Sequence, residues 1–136
     1  MKVKLTVCTV PCGAEAYVSM AVPVGARDEA KEFYGMAHFL EHVLFKGTGR
    51  FPGVDDLHKT IIGHGGGMNA YTTHEVTNYH AHVPATVDAI RDAIRVVLSM
   101  TTEPLLSAEA VRREVEVVQQ EIAKYKDIPD RTLYDR

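Results

Sequence analysis

A chain of 136 residues with a net charge of −3 is long enough to bury one hydrophobic core, and its scattered basic residues exclude the electrostatic footprint of a nucleic-acid binder. Two cysteines, Cys8 and Cys12, exclude a disulfide framework, and their C-x-x-x-C spacing does not match a zinc knuckle. No apolar run reaches the length of a membrane span, and Met1-Lys2-Val3-Lys4-Leu5-Thr6 lacks the continuous apolar stretch of a signal peptide, so a cytoplasmic location is the default expectation.

In chain order, Val3, Leu5 and Val7 alternate with Lys4, Thr6 and Cys8, and the alternation returns over Ala16 to Val24. Two strands joined by a turn at Pro11 to Gly13 are expected. A helix is expected at about Gly35 to Phe45, and a second from Val54 or Asp55 to Ile62. The second is broken by the cluster Gly63 to Gly67, which reads as a tight turn, because no Lys-Ser/Thr pair follows to make it a phosphate loop. One strand is expected over Asn69 to Val83, ended by Pro84. An amphipathic helix follows over Thr86 to Met100, carrying Val87, Ile90, Ala93, Ile94, Val97 and Leu98. Val111, Val115, Val118, Ile122 and Tyr125 keep the spacing of a core-facing stripe, so a last helix is expected there with Ser107 as its N-cap. Pro129 to Arg136 reads as the opening of a further helix cut short. This order of elements is not the regular alternation of a parallel sheet and predicts an α+β fold, a mainly antiparallel sheet packed with helices.

The segment His38-Phe39-Leu40-Glu41-His42 carries the chemistry. Residues at i, i+3 and i+4 gather on one helix face, so two imidazoles one turn apart can address a single ion with a carboxylate beside them. Zinc lowers the pKa of a bound water, and a neighbouring carboxylate can take its proton. The order is the inverted form of the commoner zinc peptidase motif. Read without that chemistry, Glu41 and His42 are solvated residues of an amphipathic helix.

Two histidines hold a catalytic zinc poorly, so a third ligand is expected on another element. Glu114 and Glu121 lie seven residues apart, two turns, on one side of the last helix next to its apolar stripe, and Glu116 also competes. His80 and His82 share one strand face, where a solvated or hydrogen-bonded pair is favoured over an accessory metal contact.

The stretch Gly35-Met36-Ala37-His38-Phe39-Leu40-Glu41-His42-Val43-Leu44-Phe45-Lys46-Gly47-Thr48 resembles the signature of the pitrilysin, insulin-degrading enzyme and mitochondrial processing peptidase family of inverted-motif zinc peptidases. Downstream, Gly65-Gly66-Gly67-Met68-Asn69-Ala70-Tyr71-Thr72 with Glu75-Val76-Thr77-Asn78-Tyr79 resembles the strand region of that family. Val117-Val118-Gln119-Gln120-Glu121-Ile122 resembles its distal glutamate helix, and Asp127-Ile128-Pro129 follows in the family's order.

This resemblance implies a LuxS/processing-peptidase-like metallohydrolase lobe, incomplete here, with residues 1–136 forming a single catalytic domain truncated at its C-terminus. It implies one zinc ion per chain, held by His38, His42 and Glu121, with Glu41 as general base and Glu114 as a supporting acidic residue. Asn69 and Ala70 fall on the strand that pairs with an extended substrate in such enzymes. The implied reaction is hydrolysis of peptide bonds in peptides or unfolded protein segments. The implied partner is a second lobe, a homologous subunit or a second copy of the chain, since family members have two homologous halves that close like a clamshell. The opposing expectation is a non-catalytic zinc-binding or assembly subunit.

Overall fold

The computed structural model describes residues 13–126. The strand expected over Val3 to Val10, the turn before Gly13, both cysteines and the segment Pro129 to Arg136 lie outside the described residues.

Strand β1 (Glu15–Val22) is followed by two short 3-10 turns and by helix α1 (Met36–Leu44). Helix α2 (Asp56–Gly63), strands β2 (Gly67–Thr72) and β3 (Thr77–Pro84), and helices α3 (Val87–Thr102) and α4 (Ala108–Lys126) complete the chain. The three strands form one antiparallel sheet in the order β1-β3-β2, so the α+β expectation holds. Alternation along the strands decides which face is covered. Tyr79, Ala81 and Val83 of β3 point inward and are at most 2% exposed, and α3 packs Ala89, Ala93, Val96, Val97 and Met100 against them. Leu57 and Ile61 of α2 close the same core. Each large apolar side chain buried this way contributes about 1.5–3 kcal/mol.

One expected element is corrected. The single strand over Asn69 to Val83 is two strands, β2 and β3, joined by a tight turn through His74 and Glu75. No glycine, proline or asparagine marks this turn. The Thr73 hydroxyl does the work instead, accepting from the Glu75 and Val76 amides at 3.3 and 3.1 Å, while the Thr73 amide donates to the Val76 carbonyl at 2.8 Å. The hairpin makes β2 an edge of the described sheet. Glycine is required just before it: a Cβ on Gly66 would stand 2.2 Å from the His82 carbonyl oxygen.

The apolar stripe of α4 is corrected at Val115, while the side chains of its members Ile122 and Tyr125 lie outside the described residues. Val118 is 6% exposed, but Val115 is 39% exposed, and Glu114 at 4% takes the covered position. The face of α4 turned toward α1 runs through Glu114, Val118 and Glu121, four and three residues apart, so two of its members are carboxylates. The Ser107 cap is present, its Oγ accepting from the Ala110 amide at 3.1 Å.

Candidate metal centre

Helix α1 is fixed at its N-terminus by a residue from the preceding loop. The Glu29 carboxylate accepts from the Gly35 amide at 2.8 Å and from the Ala37 amide at 2.6 Å, covering free N–H groups where the helix dipole favours an anion. Gly35, at φ 90, provides the left-handed entry. So held, α1 lies between α4 on one side and the edge strand β2 on the other.

His38 and His42 emerge toward α4. Their Nε2 atoms are 3.2 Å apart, and Glu121 Oε2 lies 3.2 Å from His42 Nε2 and 3.9 Å from His38 Nε2. Ligands about 2.0–2.1 Å from a tetrahedral zinc stand roughly 3.3 Å from one another, so these three atoms fit such an ion nearly as placed. Among the described residues this is the one group of three or more His, Cys, Asp or Glu side chains close enough to share a metal ion. It includes neither His80 nor His82. His80 stacks on Tyr17 at 5.3 Å between ring centres.

Two further carboxylates adjoin the group. Glu41, 8% exposed, accepts a hydrogen bond from the Thr72 hydroxyl of β2 at 2.5 Å. Nearby, burial pushes the Tyr79 phenol upward, and the charge of Glu41 adds to that shift, so Tyr79 stays neutral. Glu114 contacts the far side of His42: its Oε2, without a hydrogen bond of its own, lies 3.4 Å from His42 Nδ1, and its Oε1 pairs with Lys46 Nζ at 2.6 Å. A carboxylate on the second nitrogen of a metal-binding imidazole fixes its tautomer and ring orientation. The three glutamates take different positions: Glu121 lies at the converging atoms, Glu114 behind His42, and Glu116 is exposed.

The converging atoms open into a cleft of about 770 Å³ whose wall is β2. Asn69 and Ala70 line it. Asn69 is exposed and its Oδ1 accepts from the Ala70 amide at 2.9 Å. All seven residues expected at the site thus meet around one cleft or directly behind it. Two were missed as participants, Thr72 and Lys46. Lys46 stands four residues after His42, in the turn that follows α1. The partner of Thr72 is 31 positions away and carried no signal.

Among the described residues no helix is long and apolar enough to cross a membrane. The insulinase family model (peptidase family M16) matches residues 9–136. The chain is 42% identical over 106 residues to an insulin-degrading enzyme-like 1, peroxisomal, of Arabidopsis thaliana, an alignment covering 78% of this chain and 11% of that protein. It is 36% identical over 137 residues to a probable mitochondrial-processing peptidase subunit beta of Schizosaccharomyces pombe, covering 99% of this chain and 29% of that one. The fold superposes on crystalline pitrilysin with a TM-score of 0.75 and 30% identity, over 84% of this chain and 12% of pitrilysin. The chain therefore spans well under two thirds of these proteins. Motif helix, edge strand, glutamate helix and these matches agree: the chain belongs to the insulinase family, peptidase family M16.

Proposed function

We propose that the chain is the zinc-binding part of a metalloendopeptidase that cleaves peptides or unfolded protein segments. The observation that carries this reading is the convergence of His38 Nε2, His42 Nε2 and Glu121 Oε2 beside the buried carboxylate of Glu41. One zinc ion per chain, held by those three side chains, supplies Lewis-acid chemistry: it acidifies a water and polarises the scissile carbonyl.

The chain's own residues do the rest. Glu41 takes the proton from the attacking water on the oxygen that Thr72 leaves free, acting as general base, and returns it toward the departing amine. Glu114 keeps His42 oriented from behind. The outer edge of β2, at Asn69 and Ala70, pairs with an extended peptide as a further strand, the Asn69 Oδ1 giving up the Ala70 amide it holds at 2.9 Å. Such pairing selects chain conformation over sequence, so folded segments are excluded and unfolded ones accepted.

A second reading has specific support. The chain spans 11% of one relative and 29% of another, and the second is named as a subunit. In that reading the chain holds zinc but turns over only with a second lobe, a homologous subunit or a second copy. One relative is named peroxisomal and another mitochondrial, so the cytoplasmic expectation gains no support from them.

The test is hydrolysis of a quenched fluorescent peptide library by the purified chain with added zinc, beside Glu41→Gln. Cleavage that disappears in the variant supports the peptidase reading for the chain alone. Zinc bound without cleavage supports the second reading, and no zinc bound overturns both.

A further inference from the structure

His42, in the last turn of α1, and Lys46, in the turn that follows the helix, both reach the same side chain of α4. Glu114 is 4% exposed, a position where a carboxylate is costly unless it is paired. One of its oxygens meets Lys46 Nζ at 2.6 Å, and the other faces His42 Nδ1 at 3.4 Å. Lys46 is the one lysine or arginine among the described residues that line the cleft. Glu41, Glu121 and Glu114 put three carboxylates around the two imidazoles, one more negative charge than a divalent ion balances. The Lys46 ammonium supplies the missing positive charge.

From this geometry we propose that Lys46 is a positioning residue of the metal centre. By holding one oxygen of Glu114 it aims the other at His42 Nδ1, which turns His42 Nε2 toward the ion. A glutamate side chain has three rotatable bonds, and among the described residues Lys46 is the partner that pins Glu114 at Oε1. The ammonium is a compact charge on a flexible stem, and Lys46 is held close to the end of α1 by the turn in which its amide donates to the Val43 carbonyl at 3.0 Å. This inference rests on the zinc reading above and concerns affinity for the metal, not the chemical step.

The experiment measures zinc dissociation constants by competition with a chromophoric chelator, using the full chain and five variants: Lys46→Met, Lys46→Gln, Lys46→Arg, Glu114→Gln and Lys46→Met combined with Glu114→Gln. Thermal unfolding of each metal-free form reports separately on folding, and Lys46→Gln serves if Lys46→Met does not fold. Lys46→Met and Lys46→Gln weaken zinc binding by about tenfold, at the low end of what losing an outer partner of a ligand costs. Lys46→Arg restores most of the affinity because it keeps the charge. In the Glu114→Gln background, Lys46→Met adds no further loss, since both act through one carboxylate. Zinc affinity unchanged in Lys46→Met and Lys46→Gln overturns the proposal, as do losses from Lys46→Met and Glu114→Gln that multiply. A wild-type chain that binds no zinc overturns the zinc reading itself, a different failure.

Discussion

The Thr72 hydroxyl donates to Glu41 Oε2 across 2.5 Å, tying the edge strand to the motif helix at the carboxylate that faces the cleft. An ionised carboxylate can only accept, so the direction of this bond is set by the charge of Glu41. Thr72 Oγ1 also lies 3.4 Å from Thr77 Oγ1, but the Thr77 hydroxyl donates to the Val24 carbonyl at 3.0 Å, so both protons are committed and the bond to Glu41 alone orients the Thr72 hydroxyl.

Thr72→Val keeps the side-chain shape and removes the donor. A hydrogen bond to a charged group contributes about 1.5–3 kcal/mol, so a peptidase assembled from this chain should lose roughly 10- to 100-fold in kcat with KM little changed. Thr72→Ser should recover most of that rate. Steady-state kinetics on one fluorogenic peptide, with zinc content measured alongside, checks both.

Glu41→Gln should retain zinc, because Glu41 is not among the three converging atoms, yet lose the proton acceptor. The expected fall in kcat is about 10²- to 10⁴-fold. Equal zinc content with near-normal turnover would show that another group serves as the base.

Much of this site was legible in the sequence, for definite reasons. His38, Glu41 and His42 are local to one helix, and a periodicity of 3.6 residues suffices to put them together. The choice between Glu114 and Glu121 was not legible from periodicity, since both lie on one side of α4 and only the packing of that helix against α1 separates them. The hairpin was invisible because Thr73-His74-Glu75-Val76 carries none of the usual turn residues, and a threonine hydroxyl closes it. Val115 was misplaced for a related reason: an apolar residue was expected inside, whereas the face toward α1 is built around charged groups that need one another.

Gly66→Ala should destabilise the fold by about 1–3 kcal/mol, because the new Cβ meets backbone that cannot step aside. Gly65, at φ +79 with nothing within 4 Å of its would-be Cβ, should cost about 1–2 kcal/mol on mutation to alanine, from left-handed strain alone. Urea unfolding of the two variants separates steric from conformational cost.

Asp92 joins α3 to the end of α2 through His64 Nε2 at 3.0 Å, with Arg95 at 3.3 Å on its other oxygen. The hydrogen bond from His64 holds its carboxyl below the usual carboxylate range, with Arg95 adding to the effect against the opposing cost of burial. A depressed folded-state value means that the contribution is present above the unfolded pKa of about 3.9 and is lost as pH falls through the lower folded value. The gap in Tm between the chain and Asp92→Asn should therefore be full near pH 6 and close as the pH is taken toward 2. The pair is partly exposed, so added salt should narrow the gap as well.

The most direct test of the account is the zinc content of the metal-reconstituted chain, set beside His42→Ala and Glu121→Gln, with X-ray absorption at the zinc edge for the wild type. The expected result is one zinc per chain, bound by nitrogen and oxygen ligands at about 2.0–2.1 Å with no sulfur, and loss of tight binding in both variants. Zinc bound as tightly in those variants, or sulfur in the first coordination sphere, would contradict it.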